Sequence, residues 1–89
     1  MLEFGTSDRV RWDSHRLGIT FIVYDGNKAL RCHISRAAID DHLDYSTPGT
    51  ILDRARAQFD ELTEQVRSRI AARAFEADSS IRISTGDWR

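Results

Sequence analysis

The sequence predicts an α+β fold in which an antiparallel sheet of three to four strands carries one short and one long helix on one face, in the order β-β-β-α-α-β. Two patterns support this prediction. Apolar and polar residues alternate on both sides of a turn at Asp25-Gly26, as in half-buried strands, and apolar residues recur every three or four positions from Leu52 to Ala77, as in an amphipathic helix. At 89 residues, the chain is predicted to form a single domain, residues 1–89.

The first two strands are predicted near residues 9–12 and 17–24. In the first, Val10 and Trp12 alternate with charged residues and are expected to face the core. In the second, alternate positions divide between two faces of the sheet. One face carries Leu17, Ile19, Phe21 and Val23, and the other carries Gly18, Thr20, Ile22 and Tyr24.

A hairpin turn and a third strand, near residues 29–34, come next. Asp25-Gly26 and Gly26-Asn27 both suit the positive φ angles of a two-residue turn, so two registers are open. The first places Phe21 opposite Leu30, and the second places Phe21 opposite Cys32. Both registers give the same faces, with Leu30, Cys32 and Ile34 on the apolar side and Arg31 and His33 on the other.

Two helices and a final strand complete the pattern. Ser35 is placed as the N-cap of a short helix over about 36–43, and Thr50 with Asp53 forms a capping-box pattern that begins a helix reaching Ala77. The stripe of this long helix consists of Leu52, Ala55, Phe59, Leu62, Val66, Ile70, Ala74 and Ala77. Ile81 and Ile83 alternate with polar residues in a last strand near 80–85.

The length of the second helix predicts a homodimer. A helix over residues 50–77 would span about 42 Å, whereas a compact chain of this size is roughly 30 Å across. The helix should therefore overhang the sheet, break, or pack against a partner, and two-fold dimers are the commonest soluble oligomers. The predicted dimer surface consists of Ile51, Phe59, Leu62, Val66, Ile70 and Phe75.

Charge and composition narrow the function classes. The net charge of −1 and pI of about 6.3 disfavour a general nucleic-acid binder, although nucleic acid stays possible as a partner. Residues 37–66 hold two basic against seven acidic side chains, and the flanking segments are net basic, which favours self-association. No apolar stretch reaches signal-peptide or membrane length, so we expect a cytoplasmic protein with no membrane partner.

Three features invite a chemical interpretation, and each has a simpler one. Cys32 and His33 are neighbours on a strand, so they point to opposite faces and cannot converge on one atom. We expect Cys32 in the core and His33 on the surface. The acidic run from Asp40 to Asp44 lacks the glycine of a calcium loop. The sequence therefore predicts no catalytic residue, metal site or cofactor, and a protein that is not an enzyme.

One face of the predicted sheet merits a binding hypothesis. If Val10 and Trp12 face the core, the opposite face mixes cations with an aromatic ring, a combination suited to RNA, a phosphate or an acidic protein segment. The simpler interpretation is an ordinary solvated face. The candidate binding residues are Arg9, Arg11, Tyr24, Arg31 and His33, with Thr20 among them.

The chain also resembles a known family. The resemblance rests on Trp12-Asp13, the Val23-Tyr24-Asp25-Gly26 turn, the segment from Cys32 to Ile39, the helix from Phe59 to Ala72 and the ending from Ile81 to Asp87. These segments are similar to a family of small uncharacterised bacterial proteins, the domain of unknown function 1488. The Cys-x-Ile-Ser-x-x-Ala pattern is its most specific part, while Thr63 and Glu64 stand where the family leads one to expect an arginine.

The resemblance implies a small α+β fold and no established activity, catalytic residue or cofactor. The leading functional hypothesis is a non-enzymatic bacterial accessory or interaction protein, homodimeric through the long helix, that binds an unknown protein partner. One alternative is a nucleic-acid-associated regulator that uses the Arg/Tyr/His face of the sheet. Another is a small ligand-binding protein.

Overall fold

The fold is a five-stranded sheet with three helices, which confirms the predicted α+β class. The computed structural model describes residues 2–43 and 49–88. The strands are β1 (Leu2–Glu3), β2 (Arg11–Asp13), β3 (Gly18–Asp25), β4 (Lys28–Ser35) and β5 (Ile81–Ile83). The helices are α1 (Arg36–His42), α2 (Ile51–Ala57) and α3 (Phe59–Ala71), with single 3-10 turns at Ser7–Arg9 and Thr85–Asp87.

Strand β3 organises the sheet. Along one edge it pairs with β4 over its whole length, and along the other it pairs with β1 near its end and β2 near its start. All of these pairings are antiparallel, as predicted, but β5 runs parallel to β4. The antiparallel prediction is wrong for this last strand because the chain crosses the helical layer between β4 and β5, and such a crossover returns the next strand in the same direction.

The hairpin adopts the second of the two predicted registers. Asp25 lies opposite Lys28, and Phe21 lies opposite Cys32, so Gly26 and Asn27 form the turn. Gly26 has a φ of 62°, the left-handed conformation that a turn of this length requires. The predicted core face is confirmed for its strand residues, because Ile19, Phe21, Val23, Leu30, Cys32 and Ile34 are all buried.

The start of the sheet differs from the prediction at two apolar residues. Leu17 is 60% exposed, with a φ of 52°, and belongs to the loop before β3, where its carbonyl accepts the amide of Arg36 at 2.9 Å. Trp12 lies opposite Ile19, on the core side, but it is 39% exposed because β2 is a short strand at the margin of the sheet. Val10 is fully buried, as predicted, although it precedes β2.

The helices cover one face of the sheet and enclose a single core. Ser35 caps α1 by accepting the amide of Ala38 at 3.1 Å, and Ile39 of the same helix is fully buried. The rings of Phe21 and Phe59 meet edge to face at 5.4 Å, which joins β3 to α3. No helix in the described ranges has the length and apolar character needed to cross a membrane.

The predicted long helix is two helices. It begins at the predicted capping box, in which Thr50 and Asp53 exchange hydrogen bonds of 3.0 and 3.1 Å. It then breaks at Gln58, whose φ of −113° and ψ of 34° interrupt the helical geometry, so one of the three predicted alternatives is confirmed. The predicted end at Ala77 is wrong, since α3 stops at Ala71 and Arg73 turns the chain with a φ of 55°.

We expect Gly18→Ala to lower the free energy of unfolding by about 1–3 kcal/mol. A Cβ at this position would lie 2.3 Å from the carbonyl oxygen of Ile34 and 2.8 Å from Nε2 of His33, so the backbone of two paired strands would have to separate. Gly86→Ala is the matched control, because nothing lies within 4 Å of a Cβ there. Denaturant unfolding of the native chain and of both variants measures the three free energies of unfolding. Equal values for the two variants would contradict the close packing of β3 against β4.

Candidate binding surface on the outer face of the sheet

The face of the sheet opposite the helices carries the candidate binding residues. Strand register places Arg11, Thr20 and His33 in one row across β2, β3 and β4, and Ile22 beside Arg31 in the next row. The predicted co-facial arrangement is therefore confirmed for the strand residues. Arg9 lies in a 3-10 turn before β2 and reaches the same surface from the side.

These residues line an open groove of about 880 Å³, which we call the outer-face groove. Its floor is the outward side of β3, and its side wall is the segment between β1 and β2. The groove brings together four of the predicted residues with others that the sequence did not single out. It is lined by Arg9, Arg11, Tyr24 and Arg31 with Thr20, and also by Arg16, Ile22, Asp13 and residues 3–6.

The groove is more basic than the chain as a whole. It holds four arginines and His15 against two carboxylates, those of Glu3 and Asp13, in a chain whose net charge is −1. Among residues 2–43 and 49–88, no carboxylate lies within ion-pair distance of Arg9, Arg16 or Arg31. The Arg11 guanidinium donates to the carbonyl oxygens of Asp8 and Val10, the second at 3.2 Å. This concentration of cations makes the groove attractive to an anionic partner.

An apolar centre separates these cations. Ile22 is 44% exposed and Tyr24 is 48% exposed, and both project from β3 into the groove. Large side chains of this kind, ringed by arginines, are typical of the residues that dominate protein interfaces. The alternation of side chains along β3 already predicts from the sequence that Ile22 points away from the core, and this predicts its exposure.

His33 does not belong to the groove, and the prediction that it lies on the surface is wrong. It is 2% exposed and, although it points to the outer side of β4, it lies beneath the loop between β2 and β3. Its ring approaches Gly18, which leaves the space a side chain would fill. A glycine inside the predicted strand 17–24 was the signal for such a close approach.

Burial lowers the pKa of His33. Asp13 and the backbone of Arg16 oppose this change, while the positive charges of Arg16 and Arg82 add to it. Neither ring nitrogen makes a hydrogen bond of normal geometry to a described residue. The buried ring therefore favours the neutral form.

Cys32 is a core residue, as predicted. Its side chain is fully buried, and burial raises the pKa of the thiol to about 12. Its Sγ lies 3.8 Å from the carbonyl oxygen of Leu30. Because Cys32 and His33 occupy opposite faces of β4, the sulfur and the imidazole cannot act as a nucleophile and its base.

The predicted dimer surface is partly internal. Leu62 and Val66 are fully buried against the sheet, so the prediction that they face a second copy is wrong. Ile51, Phe59 and Ile70 are half-buried against the same core, and Phe75 is 41% exposed. The stripe packs inward because α3 contacts β5 and contributes Leu62 and Val66 to the core.

The acidic residues near α1 hold the fold together. Asp40 forms ion pairs with Arg54 at 3.4 Å and with Arg36 at 3.6 Å, and Asp41 accepts a hydrogen bond from Thr85. Asp44 lies outside the described residues. Within those residues, no cluster of three or more His, Cys, Asp or Glu side chains has the arrangement of a metal site.

Comparison with known proteins agrees with the resemblance seen in the sequence. Residues 4–83 match the family model described as "Protein of unknown function (DUF1488)". The fold is similar to the crystal structure of a protein of unknown function from the same family, from Shewanella loihica PV-4. The two share 19% identity and a TM-score of 0.72, over 85% of this chain and 86% of the other. No curated protein matches the chain.

We expect stability to fall as the pH drops below 6.5, the ordinary pKa of histidine. Since the folded state holds the pKa of His33 below this value, the unfolded chain binds a proton first, and the stabilisation present above pH 6.5 is lost as the pH falls toward the folded pKa. The aspartates with lowered pKa values titrate below 3.8, outside this window.

Denaturant unfolding between pH 8 and 5 measures this loss in the native chain and in His33→Met, which fills the site without titrating. The variant should show a smaller decline in this range. Parallel pH profiles for the two chains would contradict the assignment to His33.

Proposed function

We propose that this chain, which belongs to the DUF1488 family of proteins of unknown function, is a non-enzymatic interaction protein that binds a partner macromolecule in its outer-face groove. The observation that carries the proposal is the grouping of Arg9, Arg16 and Arg31 around the exposed side chains of Ile22 and Tyr24. Exposed apolar side chains grouped with arginines are typical of protein interaction surfaces.

The alternative of an ordinary solvated sheet face explains these residues less well. A solvated face typically alternates polar side chains with the buried ones of the core. Here the middle of β3 instead presents Ile22 and Tyr24, each nearly half exposed, on the side opposite the described helices. An isoleucine at the centre of a long strand gains nothing from solvent, whereas it contributes to binding once a partner covers it.

Two residues support a role other than catalysis. A cysteine acts as a nucleophile through its thiolate, and the thiol of Cys32 is buried with its pKa raised to about 12. His33 is shielded from the groove, so it is poorly placed to exchange a proton with a bound molecule. The polar groups that do line the groove are arginines, which suit binding and orientation.

Site-specific photo-crosslinking in the producing cell tests the proposal. A photoreactive phenylalanine analogue in place of Tyr24 should yield covalent adducts with a partner, whereas the same analogue in place of Glu64, an exposed residue of α3, should yield few. Arg31→Glu should reduce the adduct from the Tyr24 position several-fold, because it reverses one of the groove charges. Equal yields from both positions, or none from the Tyr24 position, would overturn the proposal.

The homodimer stays a prediction. With Leu62 and Val66 buried, it would have to use the four other residues of the predicted surface, of which Phe75 offers the most exposed area. Light scattering after size exclusion at high micromolar concentration measures the mass directly. Twice the chain mass of 10.2 kDa is the predicted result, and a mass near 10.2 kDa would refute the dimer.

A further inference from the structure

A gap interrupts the outer edge of β3. On this edge, β2 pairs with Gly18 to Thr20 and β1 pairs with Tyr24 and Asp25, while residues 21–23 have no strand beside them. Within the described residues, no backbone hydrogen bond joins the segment 4–10 to residues 21–23. The outer-face groove reaches this gap, since Phe21 contributes to its lining although its side chain is buried in the core.

The hairpin register decides which backbone groups point into the gap. Asp25 and Lys28 flank a two-residue turn and form the hydrogen-bonded pair that closes it. Hydrogen-bonded pairs alternate along an antiparallel ladder, so Val23 and Phe21 direct their amide and carbonyl groups toward β4. Ile22 consequently directs its N–H and C=O away from β4 and into the gap.

Cations surround this unpaired donor and acceptor. Arg31 of β4 lies directly opposite Ile22, and facing side chains of this kind have Cβ atoms about 4.5–5.5 Å apart. Arg9 lines the same groove from the segment that forms its wall, and Arg11 lines it from β2. A group bound at Ile22 therefore meets one backbone donor, one backbone acceptor and positive charge on two sides.

We infer that the groove takes an extended acidic peptide segment, an inference that rests on the proposed function and specifies the partner. The segment lies across the outer face, because β1 and β2 occupy the edge of β3 on both sides of the gap. One of its residues pairs its main chain with the N–H and C=O of Ile22. Its acidic side chains pair with Arg31 and with Arg9 or Arg11, and an apolar side chain covers Ile22 and Tyr24.

The same features disfavour a single-stranded nucleic acid as the occupant. A phosphate group only accepts hydrogen bonds, so it can pair with the N–H of Ile22 but not with its C=O, whereas a peptide unit offers both an acceptor and a donor. Proteins that bind single strands combine a continuous basic track with several stacking rings. In the outer-face groove, Glu3 and Asp13 interrupt the cations, and Tyr24 is more exposed than the rings of Phe4 and Phe21.

Fluorescence anisotropy tests the inference with defined probes. The first is a labelled, end-capped eight-residue peptide that alternates Glu with Val, the second replaces each Glu with Gln, and the third is a labelled fifteen-nucleotide single strand. The Glu peptide should bind saturably, and the Gln peptide should bind at least tenfold more weakly because it loses the carboxylate–arginine pairs.

Arg31→Ala should weaken the Glu peptide by about fivefold to tenfold. Lys28→Ala is the matched control, since it removes one positive charge from the same strand outside the groove, and it should change the affinity less than twofold. In two-dimensional amide spectra, the Glu peptide should shift the Ile22 resonance among the largest changes.

The outcomes separate the inference from the proposed function. If the nucleotide probe binds and Arg31→Ala weakens it while the Glu peptide does not bind, the peptide inference is wrong and the groove remains a binding surface. Peptide binding that leaves the Ile22 amide unshifted, or that Lys28→Ala weakens as much as Arg31→Ala, also overturns it. The proposed function itself fails only if the Tyr24 position gives no preferential crosslink.

Discussion

The register of the β3–β4 hairpin is the constraint on which the rest of the structure depends. Pairing Phe21 with Cys32 places one set of alternating side chains under the helices and the other set in the groove. A shift of one residue in either strand would exchange these faces and expose the core. The turn at Gly26-Asn27 fixes that register locally, because Gly26 adopts its positive φ at little cost.

The helical layer also positions the groove from behind. Arg56 of α2 donates two hydrogen bonds, of 2.9 and 3.3 Å, to the carbonyl oxygen of Val10, in the segment that forms the groove wall. Arg67 of α3 lies 4.9 Å above the ring of Phe4, at the start of the same wall. The two helices thus hold both ends of the wall, and the position of its Arg9 is set by core packing as much as by the sheet.

Features set by local periodicity were predictable from the sequence, whereas features set by distant contacts were not. Alternation along β3 and β4 identified both faces and the burial of Cys32, because each strand position has only two directions to choose from. The position of the break at Gln58 left no such sign, since the apolar stripe continues through it without a Gly or Pro. The parallel direction of β5 likewise depends on how the chain crosses between β4 and β5. The alternation of Ile81 and Ile83 with polar residues predicts a strand but not its direction.

The candidate site shows the same division. The co-facial placement of Arg11, Tyr24 and Arg31 was predictable from strand alternation, whereas the burial of His33 required knowing that the loop before β3 folds over it. The gap beside Ile22 could not be foreseen. It arises because two short strands share one edge of β3, and Leu2–Glu3 is too short to stand out as a strand.

Amide hydrogen exchange along β3 tests the central claim most directly. The hairpin register places the amides of Phe21 and Val23 in hydrogen bonds to β4 and leaves that of Ile22 facing the groove. We predict that the Ile22 amide exchanges at least tenfold faster than its two neighbours under native conditions. Equal protection of the three amides would contradict this claim, since some part of the protein would then already occupy the gap.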